Sequence, residues 1–191
     1  MCYVWASLSP LCMYVEIYIS FFSNFSVRHA RTHKCINTHL CPFYLALTTQ
    51  ILRDIRDVNT IYILIRPKKN VAPQARANKE IASSLIFTRM RSELGDNFDA
   101  YFESKVVAVA GDINKDLMGL SAEDLTKVCA TLHIVIHCAA NVDFNERLDG
   151  AITTNCRGPL RMLRLAERCP QLLAYVHVST AYVNSNLPSG P

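Results

Sequence analysis

Continuous apolar runs separated by polar, amphipathic stretches dominate the chain after Gln50. Runs of four to eight apolar residues bounded by turn signals predict strands, and the first of these runs, residues 60–67, is expected to be buried on both faces. Such strands are typical of parallel sheets, in which helices cover both sides. The four runs are "TIYILIRP" (60–67), "KVVAVAGD" (105–112), "HIVIHCAA" (133–140) and "LLAYVHVST" (172–180).

Helical periodicity fills the gaps between these runs. Ser121 precedes Asp124 by three residues, which is an opening typical of a helix N-terminus. Gly158-Pro159 indicates a break in the last helical stretch. Alternating strands and helices predict an α/β fold with a doubly wound parallel sheet, a Rossmann-like domain over residues 50–191. The helical stretches cover residues 73–90, 121–132 and 146–169.

Residues 1–49 show neither helical nor strand periodicity. Residues 1–25 are apolar with Glu16 as their single charge, so a signal-anchor or other membrane segment is one interpretation. The His and Cys residues between His29 and Cys41 fit no regular zinc spacing, and we predict no metal site. We expect residues 1–49 to lie outside the core sheet and a protease to cut before about residue 50.

Composition excludes several classes of protein. Half of the residues are apolar, which excludes a disordered chain, and a net charge of +4 without a basic stripe argues against a nucleic-acid partner. The eight cysteines include no CxxC pair, and Cys138, Cys156 and Cys169 fall in apolar or helical patterns, so buried reduced thiols are expected. No glycine precedes Gly95, so a glycine-rich phosphate loop cannot form there.

Polar and small residues directly follow each predicted strand. In a doubly wound sheet, ligands bind beyond the carboxyl ends of the strands, so these residues are the candidates for a site. They are Arg66, Gly111-Asp112, Ala139-Ala140-Asn141 and Ser179-Thr180.

Six pieces in register resemble the extended short-chain dehydrogenase/reductase superfamily, and within it the fatty acyl-CoA reductases of the male-sterility type. The resemblance runs from about Ile51 to Asn184. It implies NADPH-dependent reduction of a long-chain fatty acyl-CoA to the alcohol, a step of lipid metabolism. It also implies membrane association of the full-length protein, at the cytosolic face of the peroxisome or endoplasmic reticulum. The pieces are "IYILIRPKK" (61–69), "VVAVAGDI" (106–113), "LSAEDL" (120–125), "HIVIHCAANVDF" (133–144), "TNCRGPLRMLRLA" (154–166) and "VHVSTAYVN" (176–184).

The resemblance implies a cofactor site at the strand ends. Arg66 would pair with the 2′-phosphate of NADPH, helped by Lys68 or Lys69, although a solvated basic loop is the plainer interpretation. Asp112 and Ile113 would lie near the adenine, although a simple turn explains them too. The small residues after the third strand would let the dinucleotide approach the backbone closely; they are Ala139 and Ala140, followed by Asn141.

The resemblance also implies catalytic roles. Thr180 aligns with the hydroxyl residue that binds the substrate carbonyl, Ser179 is the second candidate, and a hydroxyl there would support developing oxyanion charge. Asn155 matches a helix asparagine that orders the active site, or it bonds within the core. His137 is expected to be a packed core histidine.

The chain departs from the family pattern in three places. The glycine-rich turn after the first strand has no match, and Pro159 replaces a helix-compatible residue. The Tyr-Lys proton-donor pair of the family is also missing, since the sole Tyr-x-x-x-Lys, Tyr101–Lys105, precedes the second predicted strand and is read as a coincidence.

We therefore expect an internal piece of a reductase, incomplete at both ends and inactive alone. Residues 1–49 would be a foreign segment, either disordered, membrane-associated or a gene-model artefact. Two alternatives stay open: a non-catalytic truncated Rossmann fragment, and another extended short-chain reductase acting on a thioester or nucleotide-sugar.

Overall fold

The computed structural model describes residues 17–21, 42–143 and 145–179. Five strands form one sheet in the order β3-β2-β1-β4-β5. This order matches the first five strands of a doubly wound dinucleotide-binding sheet. The strands are β1 (Ile17–Phe21), β2 (Val58–Ile65), β3 (Val106–Ala110), β4 (Ile134–His137) and β5 (Ala174–His177).

Helices alternate with the strands, as predicted. The α-helices are α1 (Pro42–Asp54), α2 (Pro73–Arg76), α3 (Thr88–Leu94), α4 (Phe98–Lys105), α5 (Ala122–Thr131), α6 (Leu148–Ala151) and α7 (Arg157–Ala166). Two π-helical segments, Ala77–Ala82 and Ile152–Cys156, continue α2 and α6. Short 3₁₀ turns cover Leu85–Phe87, Gly95–Asn97 and Asp116–Gly119.

The four strands expected from the sequence are present and run parallel. β2 pairs with β3 in parallel from Ile61↔Val106 to Ile65↔Ala110, and β4 pairs in parallel with β5. β2 and β4 are both antiparallel to β1, and so they share one direction. The α/β doubly wound fold is confirmed, and the carboxyl ends of all four strands lie at one edge of the sheet.

The central strand was not expected. β1 lies between β2 and β4 and is antiparallel to both, with Ile17 opposite Ile63 on one side and Ile136 on the other. The expectation that residues 1–49 stay outside the core sheet is therefore wrong for Ile17–Phe21. The sheet is also mixed rather than purely parallel.

A physical reason for this strand lies in the two that flank it. Without a strand between them, β2 and β4 would each present an unpaired row of backbone N–H and C=O groups in the middle of the core, where such groups need partners. The segment Ile17–Phe21, "IYISF", consists mainly of β-branched and aromatic residues, which favour strands. A strand of only five residues is too short to give residues 1–49 a visible period.

The expected boundary at residue 50 also falls inside an element, because α1 runs across it. Tyr44 and Leu45 are buried in the core, and the Thr48 hydroxyl donates to the carbonyl of Tyr44 at 2.8 Å. The packed helical layer therefore begins before residue 50. The expected membrane segment and the His29–Cys41 stretch lie mostly outside the described residues, and no helix in the described ranges is long and apolar enough to cross a membrane.

Alternating side chains of β2 divide the core into two layers. Ile61, Ile63 and Ile65 face a layer that contains α1 and α4, whereas Tyr62 and Leu64 face the layer of α5 and α7. All five are at most 3% exposed, so β2 is buried on both faces, as its continuous apolar run predicts. Each such side chain contributes roughly 1.5–3 kcal/mol through burial.

The long helical segment breaks earlier than expected. The departure from α-helix is the π-helical turn Ile152–Cys156, not Gly158-Pro159. Pro159 is the third residue of α7, where the missing N–H falls in a first turn that has no partners within α7. The wider π turn directly precedes it and lets the segment continue as a helix.

The central position of β1 predicts a stability effect. Ile19→Pro removes a backbone N–H from a strand that is paired on both sides, and we expect a loss of about 1–3 kcal/mol in the free energy of unfolding. Ile19→Val keeps the N–H and serves as the control. Urea unfolding of both variants tests this, and equal stability of the two would show that Ile17–Phe21 is not in the sheet.

Candidate functional site

An open cleft of about 340 Å³ lies at the carboxyl edge of the sheet. The turn after β2, the loop after β3, the loop after β4 and the helix that follows it all contribute to its walls. Every lining residue lies beyond the carboxyl end of a strand, where a doubly wound sheet binds its ligand. The lining residues are Arg66, Asn114, Asn141, Glu146, Asp149, Gly150, Thr153 and Thr154.

Arg66 is the cation of this cleft. Its exposed side chain places Nε 3.7 Å from Oδ2 of Asp112, which follows Gly111 at the end of β3. Lys68 follows in a turn that the Val71 N–H closes on the Lys68 carbonyl at 3.3 Å, and Asn70 takes a positive φ of 59° there. The structure thus brings the predicted residues Arg66 and Asp112 together, with Lys68 exposed on the adjoining turn.

The turn after β3 requires a glycine. The Gly111 N–H donates to the Ile65 carbonyl at 3.0 Å, and a Cβ at Gly111 would lie 2.2 Å from Cδ1 of Leu64 and 2.7 Å from the Met118 carbonyl oxygen. Asp112 Oδ1 accepts from the Asn114 N–H at 2.9 Å. This close packing fixes the direction in which the Asp112 carboxylate leaves the sheet.

Ile113 occupies a different place from its neighbours. Its side chain is fully buried in the core layer of α5 and α7, so only its backbone is available near the cleft. The Ile113 carbonyl accepts from Nη1 of Arg161 at 3.4 Å. The sequence resemblance did not distinguish a backbone contribution from a side-chain one.

Two asparagines close the loop after β4. The Asn155 amide donates to the Asn141 carbonyl at 2.7 Å, and the Asn141 N–H donates back to Oδ1 of Asn155 at 2.7 Å. The Asn141 amide also donates to Glu146 at 2.5 Å. Ala139 is buried and Ala140 half-buried, so the backbone after β4 has little side-chain bulk around it. Asn155 therefore fixes the path of this loop.

The end of β5 carries the predicted hydroxyl residues. Ser179 is exposed, and Thr180 lies outside the described residues. His137 is fully buried and stacks on His177 with ring centroids 5.1 Å apart, as expected of a packed core histidine. Burial, followed by the neighbouring His137, lowers the pKa of His177.

Tyr101 and Lys105 lie at the opposite edge of the sheet. The Tyr101 hydroxyl donates to the Leu52 carbonyl at 2.8 Å, and Lys105 Nζ donates to the Val58 carbonyl at 2.6 Å. Burial raises the pKa of Tyr101. These two hydrogen bonds join α4 to the end of α1 and to the start of β2. Their structural role agrees with the interpretation that the Tyr-x-x-x-Lys spacing is a coincidence.

The cysteines follow the expectation only in part. Cys169 is buried, and burial followed by the neighbouring Cys129 raises the pKa of its thiol to about 12, so it stays protonated. Cys156 is exposed, because it ends the π-helical turn on its outer side, and the expectation of burial is wrong for it. No group of three potential metal ligands occurs within the described part of the chain.

Sequence reasoning missed several residues of the cleft. Asn114, whose side-chain oxygen accepts from the Thr154 hydroxyl at 3.2 Å, gives no signal beyond its place two residues after Asp112. Glu146 lies in the loop before α6, Asp149 in α6 and Thr153 in the π-helical turn that continues it, so their position in the wall depends on the path of that loop. Sequence periodicity carries no information on that path.

The α/β fold, with its cleft beyond the carboxyl ends of the parallel strands, is that of a Rossmann-like dinucleotide-binding domain. Residues 45–190 match the family described as male sterility protein, an NAD-binding family. The chain belongs to this family. The match begins within α1, which agrees with the packed layer starting before residue 50.

Curated relatives include fatty acyl-CoA reductases from several organisms. The chain is 33% identical over 138 residues to chloroplastic fatty acyl-CoA reductase 2 of Arabidopsis thaliana, covering 72% of this chain and 22% of that protein. It is 35% identical over 140 residues to fatty acyl-CoA reductase 1 of Mus musculus, covering 73% and 26%. The chain thus spans about a quarter of the length of these relatives.

Solved structures show the same fold. The terminal R domain from the myxalamid PKS-NRPS biosynthetic pathway superposes with a TM-score of 0.55 at 25% identity, covering 78% of this chain and 33% of that one. A thiolation-reductase di-domain from an archaeal non-ribosomal peptide synthetase gives a TM-score of 0.52 at 22% identity, covering 74% and 26%.

The glycine at the end of β3 predicts a sharp contrast between two substitutions. We expect Gly111→Ala to lower the free energy of unfolding by about 1–3 kcal/mol, because its Cβ has no room. Gly158→Ala is the matched control, since its Cβ would meet nothing closer than 3.5 Å and α7 favours alanine. Urea titration of both variants measures the difference, and equal losses would contradict the tight turn.

Proposed function

We propose that this chain is the NADPH-binding part of a fatty acyl-CoA reductase that converts a long-chain fatty acyl-CoA to the fatty alcohol. The observation that carries the proposal is Arg66, an exposed cation that follows β2 and lines the cleft beside Asp112. The names of the curated relatives support the substrate class.

The described residues fit the adenosine end of the cofactor. In this fold the residues after the second strand lie at the adenosine ribose, and a guanidinium there suits a 2′-phosphate because it can donate two parallel hydrogen bonds. Lys68, exposed on the same turn, adds positive charge. Asp112 after β3 is the candidate neighbour of the adenine. NADPH is therefore the proposed cofactor rather than NADH.

The described residues do not include the glycine turn that usually holds the pyrophosphate of the cofactor. The sequence has no glycine before Gly95, and β1 runs opposite to the first strand of a dinucleotide-binding sheet. A glycine turn leading into a helix N-terminus after that strand is therefore absent among the described residues. Arg66, Lys68 and Asp112, the residues proposed above to contact the cofactor, accordingly all belong to its adenosine half.

The remaining site residues have proposed positioning and polarising roles. A bound nicotinamide would supply hydride to the thioester carbon. Asn155 would hold the loop at Asn141 in place, as its two hydrogen bonds to that residue support. A hydroxyl from Thr180 or Ser179 would donate to the substrate carbonyl oxygen and stabilise the charge that develops on it.

The location of the whole protein is a further part of the proposal. We propose that it acts at the cytosolic face of the peroxisome or the endoplasmic reticulum, in association with the membrane. The resemblance to fatty acyl-CoA reductases is the support for this.

Cofactor choice tests the proposal directly. We expect Arg66→Ala to weaken NADPH binding by on the order of 1–3 kcal/mol, and NADH binding far less, because one charge-assisted contact to the 2′-phosphate is lost. Arg56→Ala removes an exposed arginine just before β2, at the other edge of the sheet, and should leave both affinities unchanged. Fluorescence titration measures them, and equal weakening for both cofactors would sink the assignment.

The hydroxyl assignment requires turnover. The 191-residue chain alone should not oxidise NADPH with a long-chain acyl-CoA, because Tyr101 and Lys105 lie at the wrong edge to donate a proton. In a longer form that turns over, Thr180→Val should lower kcat by roughly 10²–10³-fold through the loss of one oxyanion donor. A larger loss for Ser179→Ala would assign the role to the other hydroxyl, and turnover by the 191-residue chain would refute the fragment interpretation.

A further inference from the structure

We propose that Arg76 is a positioning residue for cofactor choice, because it holds the backbone of Arg66 in the place from which the Arg66 guanidinium can reach a 2′-phosphate. This inference rests on the proposed function and extends it to a residue that does not line the cleft.

Arg76 is a buried charge with a specific set of partners. It is 7% exposed, and its Nη1 donates to the Arg66 carbonyl at 2.6 Å. Nε and Nη2 donate to the two carboxylate oxygens of Glu80 at 3.0 and 2.8 Å. A buried guanidinium is tolerated only when its N–H donors are hydrogen-bonded. Those of Arg76 donate to the Glu80 carboxylate and to the Arg66 carbonyl.

The accepting carbonyl lies at a critical point of the chain. The ladder between β2 and β3 ends where the Gly111 N–H bonds to the Ile65 carbonyl. The Arg66 carbonyl is the first beyond that ladder, and Arg76 supplies the donor to it. The direction in which Arg66 leaves the sheet is therefore fixed by a side chain ten residues later rather than by strand pairing.

Glu80 completes the arrangement. The hydrogen bond from Arg76, and then the charges of Arg76, Lys68 and Lys79, lower the pKa of Glu80, so it stays ionised and holds the guanidinium plane. The Arg76 N–H also donates to the Ala72 carbonyl at 3.1 Å. Arg76 thus ties the end of β2 to the start of α2 on either side of the turn that carries Arg66 and Lys68.

Such bracing matters most for phosphate recognition. A guanidinium binds a phosphate through two parallel hydrogen bonds. A displacement of about 0.5 Å in the backbone that carries the guanidinium therefore weakens the contact. Stacking and dispersion contacts to an adenine depend less on the position of one backbone carbonyl. Loosening the turn should therefore reduce the preference for a 2′-phosphate more than it reduces adenosine binding.

The probes are 2′,5′-ADP and 5′-AMP, which differ only in the 2′-phosphate and need no nicotinamide or turnover. Calorimetric titration of the 191-residue chain gives the ratio of the two affinities. We expect Arg76→Met to lower this ratio about tenfold. The control Arg89→Met breaks an exposed pair of the same i,i+4 spacing, in which Arg89 Nε lies 2.7 Å from Glu93, and it should leave the ratio unchanged.

A double variant shows whether Arg76 acts through Arg66. In the Arg66→Ala background, Arg76→Met should cause no further fall in the ratio, because the side chain that it positions is gone. A further tenfold fall there would overturn the inference. So would an unchanged ratio in Arg76→Met alone, even with a lower Tm, since that result would show a purely structural role.

Two outcomes separate the inference from the proposed function. A wild-type chain without preference for 2′,5′-ADP, or an Arg66→Ala variant that keeps that preference, would refute the proposed function and this inference with it. If Arg66→Ala abolishes the preference and Arg76→Met does not lower it, the inference alone fails.

If Arg76→Met does not fold, the variant Glu80→Gln provides the test. A fall of about two- to threefold in the ratio of the affinities for 2′,5′-ADP and 5′-AMP supports the inference, and an unchanged ratio overturns it.

Discussion

Hydrogen bonding at the centre of the sheet is the constraint on which the other parts of this molecule depend. β2 and β4 are each paired on their outer side with a parallel strand, and their inner sides need partners in a water-free core. Ile17–Phe21 supplies those partners to both strands. Because Ile17–Phe21 pairs with the inner sides of both β2 and β4, the two halves of the sheet form one continuous layer. The two core clusters lie on opposite faces of this layer.

The site follows from that continuity, since the cleft draws its walls from both halves of the sheet. Arg66 comes from the half containing β2 and β3, whereas Asn141 comes from the half containing β4 and β5. Side chains at the ends of strands can lie close together only if the strands are held in one register. Local turns then aim each of them: Gly111 directs Asp112, and the Asn141–Asn155 pair fixes the loop after β4.

Sequence patterns predicted the four parallel strands because each is a continuous apolar run, and the Ser121 cap because its chemistry is local. The Asp124 N–H does donate to Ser121 Oγ, at 3.0 Å. The patterns failed where the cause is not local. β1 forms because two distant strands need partners, and the burial of Arg76 depends on the Arg66 carbonyl and on Glu80. The catalytic role of Thr180 or Ser179 rests on resemblance alone and stays a prediction.

A dinucleotide-binding domain normally combines residues that recognise the adenosine ribose with a turn that holds the pyrophosphate. In this chain the direction of β1 affects the second of these parts. The turns after β2 and β3 are held by Gly111, Asp112 and Arg76, none of which depends on the direction of the central strand. A pyrophosphate cradle does depend on it, because the cradle is built where the chain leaves the carboxyl end of the first strand. Here the chain after Phe21 leaves at the opposite edge, since Phe21 pairs with Val58 at the start of β2. The contact proposed between Arg66 and a 2′-phosphate therefore does not require a pyrophosphate cradle after β1.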